Sequence, residues 1–349
     1  MKLPACLWSV AVADAETVPV ARFPVEVYPW HASVWTTLTA DLERLPHALL
    51  LQGPAGLGKQ DFALRLATAL LCAQPKAESA CGQCHSCQLL AAGTHPDLKL
   101  VMPEEDRRGI VIDQIRGLGT YLALRPHTAA RKVAILSPAD SMNLNAANSL
   151  LKILEEPPLG SILLLVASQP ARLPATIRSR CQRVLFQVPE RGLAQSWLKD
   201  REGGEAAVQL LGEAGGAPLR ALALSREDFL AKRETLLSDL ERLLAGNEDP
   251  VTCAQRWKGL GASACIDWLT AFVAGLIRGL AVPGEPAPAL LKNTKNVLTL
   301  NKLYIYIDVV SSARNGLFSG GLDELLLLED ILIRWCRMAE RSPTIKTGT

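Results

Sequence analysis

Short runs of consecutive apolar residues alternate with longer segments in which apolar residues recur every three or four positions. Three of the runs have the length and continuity of buried strands and lie at residues 47–52, 132–136 and 162–167. Three periodic segments predict helices and lie at residues 60–71, 113–124 and 143–156. Residues 184–188 form a fourth candidate strand. Continuous apolar strands that alternate with helices are typical of a parallel sheet, so the pattern predicts an α/β domain over residues 28–189.

The remainder of the chain carries helical periodicity alone. Residues 190–226 predict a small all-helical module, and residues 227–342 predict a larger helical domain that is interrupted by the proline- and glycine-rich stretch 282–288. Residues 1–27 are expected to form a disordered leader, and the polar residues 343–349 a disordered tail. The sequence therefore predicts three structured domains between these two ends.

The composition of the 349 residues is that of a folded protein with two or three domains, because 49% are hydrophobic and 21% are charged. The formal net charge is only +2, so any surface that binds nucleic acid has to be local. The longest apolar run, residues 268–276, is much shorter than the roughly 20 residues that a membrane span needs. These observations exclude disordered, fibrous and membrane-spanning proteins and predict a cytoplasmic one.

A glycine-rich segment follows the first predicted strand and opens the first predicted helix. It has the spacing of a phosphate-binding loop, in which glycines expose backbone N–H groups and a lysine reaches the terminal phosphates. Its candidate nucleotide-binding residues are Gly53, Gly56, Gly58 and Lys59. Gln60 stands where such loops place a Ser or Thr hydroxyl on Mg²⁺, and its longer amide is a poor substitute. Two interpretations remain: a loop that binds nucleotide, or a strand–turn–helix that has kept its shape and lost its ligand.

The strand at residues 132–136 ends without the acidic residues of an ATPase. Ser137 stands at the position of the Mg²⁺-binding Asp, and Pro138 stands at the position of the Glu that activates water. Asp140 is expected to cap a helix instead of binding a metal. Because phosphoryl transfer depends on charge neutralisation around the γ-phosphate, the sequence predicts no intrinsic ATP hydrolysis.

Four of the nine cysteines lie within sixteen residues, at Cys72, Cys81, Cys84 and Cys87. Two Cys-x2-Cys spacings let one turn present two sulfurs to one ion, and four thiolates form a closed structural Zn²⁺ site. The alternative is a set of unliganded thiols on an exposed loop. A large chain with one such cluster is more typical of a cytosolic metal protein than of a disulfide scaffold, so we predict structural zinc.

Arg180 lies between two small residues in a segment that follows an apolar strand and a proline turn. Two interpretations remain open from the residues alone. It is either a solvated cation at a helix end or a guanidinium offered to a phosphate on a neighbouring subunit, a task that suits a planar, permanently charged group.

Four segments in combination resemble the AAA+ clamp-loader subunits of bacterial DNA polymerase III. They are the phosphate loop, the cysteine spacing, the stretch 145–158 with its Leu-Glu-Glu-Pro-Pro sequence, and Ser179-Arg180-Cys181. The missing acidic residues and the opening Tyr28-Pro29-Trp30 make the chain similar to a subunit without ATPase activity rather than to the ATPase gamma/tau subunit. The resemblance implies three domains: an AAA+ P-loop domain over 28–189 with a zinc-binding insertion at 72–87, a helical lid over 190–226, and a helical collar over 227–342 that holds a pentamer together.

The same resemblance implies functions for individual residues. Arg180 would be an arginine finger that reaches ATP on an adjacent ATPase subunit, and the four clustered cysteines would be zinc ligands. The protein would be a rigid stator in the DNA polymerase (nucleotidyltransferase) holoenzyme. With the delta and gamma/tau subunits, it would open the sliding clamp and place it on primed DNA. Arg116 and Lys152 are candidate DNA phosphate contacts, although solvated helix faces explain them equally well.

Two other functions remain open. A self-contained P-loop ATPase, such as a helicase-like motor, would hydrolyse ATP without partners. A zinc-bearing scaffold without a role in clamp loading would leave the ATPase of its partners unchanged when Arg180 is replaced.

Overall fold

The computed structural model describes residues 27–75, 79–104, 109–225, 227–282, 298–319 and 323–338. The chain forms two compact units that divide between Ser196 and Trp197. The predicted leader up to residue 26, the predicted tail 343–349 and residues 283–288 of the proline- and glycine-rich stretch lie outside the described residues. The domain boundaries at residues 189 and 226 stay predictions.

The first unit is built on a five-stranded sheet in which all neighbouring strands are parallel. Its strands are β1 (Ala48–Gln52), β2 (Leu98–Val101), β3 (Lys132–Leu136), β4 (Ser161–Ala167) and β5 (Gln182–Leu185). Their spatial order is β2-β3-β4-β1-β5, and Leu50 at the centre of β1 is in register with Leu165 and Arg183. β3 and β4 are buried along their whole length, as continuous apolar runs predict.

Two strands differ from the sequence expectation. β2 was not predicted, because it has only four residues and Lys99 interrupts its apolar run. β5 begins at Gln182, two residues before the predicted start at 184. Since Gln182 and Arg183 are exposed, the first half of this edge strand carries no apolar signal.

Helices of the first unit cover the sheet. Their bounds are α1 (Ala32–Thr39), α2 (Lys59–Leu71), α3 (His85–Ala91), α4 (Ile112–Ala123), α5 (Leu144–Glu155) and α6 (Ala175–Arg180). The three predicted helices correspond to α2, α4 and α5 with ends that agree within one residue. Asn143 caps α5 by accepting the N–H of Ala146 at 2.8 Å. Asp140 lies inside the short 3-10 helix Ala139–Ser141, which begins after Pro138, so the expectation that Asp140 caps a helix was wrong.

Asp97 fastens the β2 edge of the sheet. Its fully buried carboxylate accepts the N–H groups of His127, Thr128 and Ala129 at 2.7, 2.7 and 2.9 Å. Lys132 Nζ lies 3.8 Å from the same carboxylate. Burial opposes ionisation of Asp97, but these N–H groups and Lys132 outweigh it and lower its pKa. The turn before β3 is therefore held to β2 by one charged side chain.

The second unit is helical. After α7 (Arg191–Lys199), in which the division falls, its helices are α8 (Gly204–Leu210), α9 (Pro218–Leu224), α10 (Glu227–Leu244), α11 (Pro250–Ala281), α12 (Leu300–Ser319) and α13 (Glu324–Arg337). α11 packs against both α12 and α13. Trp257 of α11 and Trp335 of α13 are fully buried, which places this unit's core among the long helices.

One helix within the described ranges, α11, is long and apolar enough to meet a length-and-composition criterion for a membrane span. The sequence analysis predicted no membrane span because it considered only uninterrupted apolar runs. This criterion instead uses the mean hydropathy of an 18-residue window, which can include polar residues. Of the apolar window, 56% is buried inside the protein, as in the core helix of a water-soluble protein, and the backbone is non-helical at Gly261 (φ 102°). The helix packs against α12 and α13.

Candidate functional site

The predicted phosphate loop lies between β1 and α2, at the carboxyl edge of the sheet. Gly56 and Gly58 adopt left-handed conformations with φ of 78° and 76°, which favour glycine. A Cβ atom on Gly53 would overlap the carbonyl oxygen of Phe186. The three glycines are thus required by the backbone path, and α2 begins immediately after the loop at Lys59.

Lys59 connects the loop to the next strand in the sheet. Its side chain is fully buried, and Nζ donates to the carbonyl oxygen of Pro54 at 2.8 Å and to Oγ of Ser168 at 3.2 Å. Ser168 directly follows β4, whose carboxyl end meets that of β1 at the same edge. The ammonium therefore stands at the centre of the loop, where a P-loop lysine acts on phosphate.

Gln60 and Ser137 are hydrogen-bonded to each other, and they occupy the positions where an ATPase has Mg²⁺ ligands. The Ser137 hydroxyl donates to Oε1 of Gln60 at 2.7 Å, and both side chains are at least 98% buried. Pro138 follows, and it offers no ionisable group. One carboxylate oxygen of Asp140 accepts the N–H of Gln169 at 2.6 Å, and the other is buried without a hydrogen-bond partner among the described residues. These residues give the loop no metal-binding carboxylate directly after β3.

Two aromatic residues that precede the loop in sequence contact its backbone. Trp30 Nε1 and His31 Nε2 both lie within hydrogen-bond distance of the carbonyl oxygen of Leu57, at 2.9 and 2.7 Å. Burial lowers the pKa of His31 to about 4, so its ring is neutral at pH 7 and Nε2 donates to the carbonyl. Sequence reasoning treated Tyr28-Pro29-Trp30 as a family marker and missed that it supports the loop.

The four clustered cysteines converge on one point between α2 and α3. Their sulfur atoms all lie within 4.8 Å of one another, and three of the separations are 3.9 Å (Cys72–Cys84), 4.0 Å (Cys81–Cys87) and 3.7 Å (Cys72–Cys87). Four sulfurs at 2.3 Å from a tetrahedral ion would lie about 3.8 Å apart. The donor set and its spacing therefore fit a tetrahedral metal ion.

Backbone N–H groups surround the sulfurs of this cluster. Cys81 donates to the sulfur of Cys72 at 3.3 Å, Cys84 to that of Cys81 at 3.3 Å, and Cys87 to that of Cys84 at 3.4 Å. Desolvation opposes ionisation of Cys84, but hydrogen bonds lower its pKa to about 6. Burial raises the pKa of Cys87 to about 12. Binding of a cation therefore has to displace at least this proton.

Arg180 is the last residue of α6 and lies on the surface with 37% of its side chain exposed. Its Nη2 is 2.7 Å from Oε1 of Glu155, and its Nη1 donates to the carbonyl oxygen of Thr176 at 3.0 Å. These two polar contacts of Arg180 are thus with α5 and α6 rather than with the phosphate loop. Its partner Glu155, in the Leu-Glu-Glu-Pro-Pro sequence, was not identified by sequence reasoning.

The two candidate DNA contacts lie on neighbouring helices. Arg116 of α4 is exposed and pairs with Asp113 at 3.3 Å, while Lys152 of α5 is also exposed. α4 and α5 pack against each other. Both cations are accessible, and their role with DNA stays a prediction.

Comparison with known proteins gives concordant results over most of the chain. The family model described as "DNA polymerase III, delta subunit" matches residues 31–190, and the model described as "DNA polymerase III, delta subunit, C terminal" matches residues 227–337. A solved DNA polymerase III gamma subunit-related protein from Thermotoga maritima is 22% identical over 88% of this chain and 99% of its own. Its TM-score is 0.41, a similarity too low to carry an argument.

Three relatives are DNA polymerase III subunits delta-prime. The Pseudomonas aeruginosa protein is 35% identical and the alignment covers 90% of this chain and 98% of the relative. The Escherichia coli protein is 32% identical with coverage of 88% and 94%, and the Bacillus subtilis protein is 37% identical with coverage of 58% and 60%. The predicted α/β domain with a parallel sheet and the predicted helical C-terminal region are confirmed. The Pseudomonas aeruginosa and Escherichia coli relatives are each more than 30% identical to this chain over nearly their full length, and this shows that the protein belongs to the family of DNA polymerase III delta-prime subunits.

Proposed function

We propose that this chain is a clamp-loader subunit that does not hydrolyse ATP and that supplies Arg180 to ATP bound by a neighbouring ATPase subunit. The observation that carries the proposal is the buried hydrogen bond between Gln60 and Ser137. It joins two residues whose counterparts in an ATPase would bind Mg²⁺. Pro138 has no side-chain group that could accept a proton from the attacking water. A chain without the metal-binding hydroxyl and the two carboxylates of an ATPase can keep the same fold, but it lacks the groups that polarise a γ-phosphate.

The exposed guanidinium of Arg180 supports the second half of the proposal. A phosphate on another subunit requires a cation that projects from the surface, keeps its charge at every physiological pH and presents paired donors. Arg180 has these properties, and its backbone is anchored by the buried neighbours Ile177 and Cys181. Its role would be to neutralise charge on a nucleotide held by a gamma/tau subunit.

The cysteine cluster supports a structural zinc site formed by Cys72, Cys81, Cys84 and Cys87. All four positions of the tetrahedron would be filled by protein sulfur, so the ion would have no open position for water or substrate. When bound, it would join the end of α2 to the start of α3. Its contribution would be to the stability of the insertion at residues 72–87, and nothing in the ligand set suits catalysis.

The proposed partners are the delta and gamma/tau subunits, the sliding clamp and primed DNA, and the proposed location is the cytoplasm. In this assembly the chain would act as a stator in the polymerase holoenzyme. Arg116 and Lys152 are proposed to contact DNA phosphates. The relatively intact phosphate loop is compatible with nucleotide binding, whereas magnesium-dependent turnover by this chain alone is not expected.

The test is the ATPase rate of the full chain alone and mixed with gamma/tau and delta subunits, with and without primed DNA. The chain alone should be inactive. Replacement Arg180→Ala should leave assembly intact and lower the DNA-stimulated rate by roughly 10³-fold, the lower end of the range for arginine fingers. Arg183→Ala, at an exposed position three residues further on, is the matched control and should leave the rate unchanged.

Each alternative gives a different result in this assay. A helicase-like motor would hydrolyse ATP without partners. A zinc-bearing scaffold would leave the rate of the Arg180→Ala complex unchanged, and that result would contradict the proposed role of Arg180.

A further inference from the structure

We infer that Glu155 is a positioning residue that orients the guanidinium of Arg180 toward phosphate on the neighbouring subunit. The inference rests on the proposed action of Arg180 in trans and adds the side chain that sets its direction. Neither the loop nor the cysteine cluster is involved.

The two residues occupy equivalent places on packed helices. Glu155 is the last residue of α5, Arg180 is the last residue of α6, and these helices contact each other. Leu154, beside Glu155, is buried, as are Ile177 and Cys181 on either side of Arg180. Both side chains therefore start from fixed backbone positions and meet at the surface.

Two anchors define the plane of the guanidinium. Glu155 Oε1 holds Nη2 at 2.7 Å, and the carbonyl oxygen of Thr176 holds Nη1 at 3.0 Å. A guanidinium has five N–H donors, so these two contacts leave three for an external acceptor. Two adjacent donors are sufficient for bidentate recognition of a phosphate. The anchored Arg180 therefore keeps its capacity for phosphate while losing freedom to rotate.

The exposure of the pair decides between a structural and a functional role. Glu155 is 49% exposed and Arg180 is 37% exposed, and ion pairs in such surroundings contribute little to folding stability. A long, exposed arginine without a partner samples many rotamers, and it would have to lose that freedom when it contacts a nucleotide. The pair reduces this loss because the side chain is ordered before the subunits meet.

The experiment uses the full chain in the reconstituted clamp-loader complex and measures kcat for DNA-stimulated ATP hydrolysis. Glu155→Ala should lower kcat about fivefold, because the guanidinium is no longer oriented. Glu155→Gln keeps an oxygen that accepts one N–H and should lower kcat less. Glu156→Ala, which changes the adjacent exposed acid, is the matched control and should have the wild-type rate. Gel filtration should show that all variants assemble normally.

A double variant separates a positioning role from an independent one. If Glu155 acts only through Arg180, the Glu155→Ala, Arg180→Ala complex should have the same rate as Arg180→Ala alone. An unchanged or raised rate for Glu155→Ala, or a further fall in the double variant, would overturn the inference. Full activity of the Arg180→Ala complex would instead refute the proposed function. The two failures are distinguishable, because the Arg180→Ala complex tests the proposed function and the Glu155→Ala complex tests the inference.

Discussion

Replacing Asp97 tests whether one buried charge holds the edge of the sheet. In Asp97→Asn the side chain keeps its shape but loses its charge. Its single amide oxygen can replace only one of the two carboxylate oxygens, so at least one of the three N–H groups loses its acceptor and faces an NH₂ donor. Lys132, which is nearly fully buried, would lose its counter-charge 3.8 Å away. Breaking a buried pair by removing one partner costs about 3–5 kcal/mol of folding free energy.

Thermal unfolding followed by circular dichroism measures this loss. For a domain of this size, about 3 kcal/mol lowers the Tm by roughly 6–12 °C. Asp113→Asn, which removes the exposed partner of Arg116, is the control and should change the stability by less than about 1 kcal/mol. Asp97→Asn, Lys132→Met removes both charges and should recover part of the loss. A single Asp97→Asn variant as stable as the control would refute the reasoning.

The pH dependence follows from the lowered pKa of Asp97. A carboxyl whose folded-state pKa is below its unfolded value of about 3.9 stabilises the protein above that pH. The stabilisation is lost as the pH falls through the folded-state pKa. The wild-type chain should therefore lose its advantage over Asp97→Asn in strong acid, below about pH 4.

Two further predictions concern the candidate sites. The purified full chain should contain about one zinc ion, as measured by metal analysis, and Cys84→Ser should lower this content while Cys181→Ser, at a buried thiol outside the cluster, should not. Because the pKa of His31 is lowered to about 4, the unfolded chain binds its proton first, and the wild type should lose about 3 kcal/mol between pH 6.5 and pH 4. Denaturant titrations should show a smaller loss over this range for His31→Phe, and equal losses in the two proteins would contradict the assignment of the buried neutral ring.

The parts of the fold that hydrophobic periodicity could predict are those that are buried on both faces. After their first residues, Lys132 and Ser161, β3 and β4 are continuous apolar runs, so their bounds were recovered within one residue. β2 and the start of β5 were not, because an edge strand exposes part of its surface and admits Lys99, Gln182 and Arg183. Hydrophobic periodicity indicates which residues are buried, so it does not define the bounds of a strand that is only partly buried.

The candidate site divides in a similar way. The glycines and Lys59 are found by spacing, because their function depends on local backbone geometry, and Cys72, Cys81, Cys84 and Cys87 are close in sequence. The contacts of His31 with Leu57 and of Glu155 with Arg180 join residues that are about 25 positions apart. No local pattern identifies such pairs, since they depend on how helices are placed in three dimensions.

The hydrogen bond between Gln60 and Ser137 also determines what would be needed to give the phosphate loop the metal ligands of an ATPase. A change of Gln60 to Thr would restore one hydroxyl and would leave Ser137 without its acceptor in a buried place, at a cost of about 1–3 kcal/mol. A change of Ser137 to Asp would place a negative charge at a buried position, which costs folding free energy unless the charge is paired. Pro138 would have to change as well. The first two changes are therefore each expected to destabilise the fold when made alone, so metal ligands could be introduced here only by several substitutions made together.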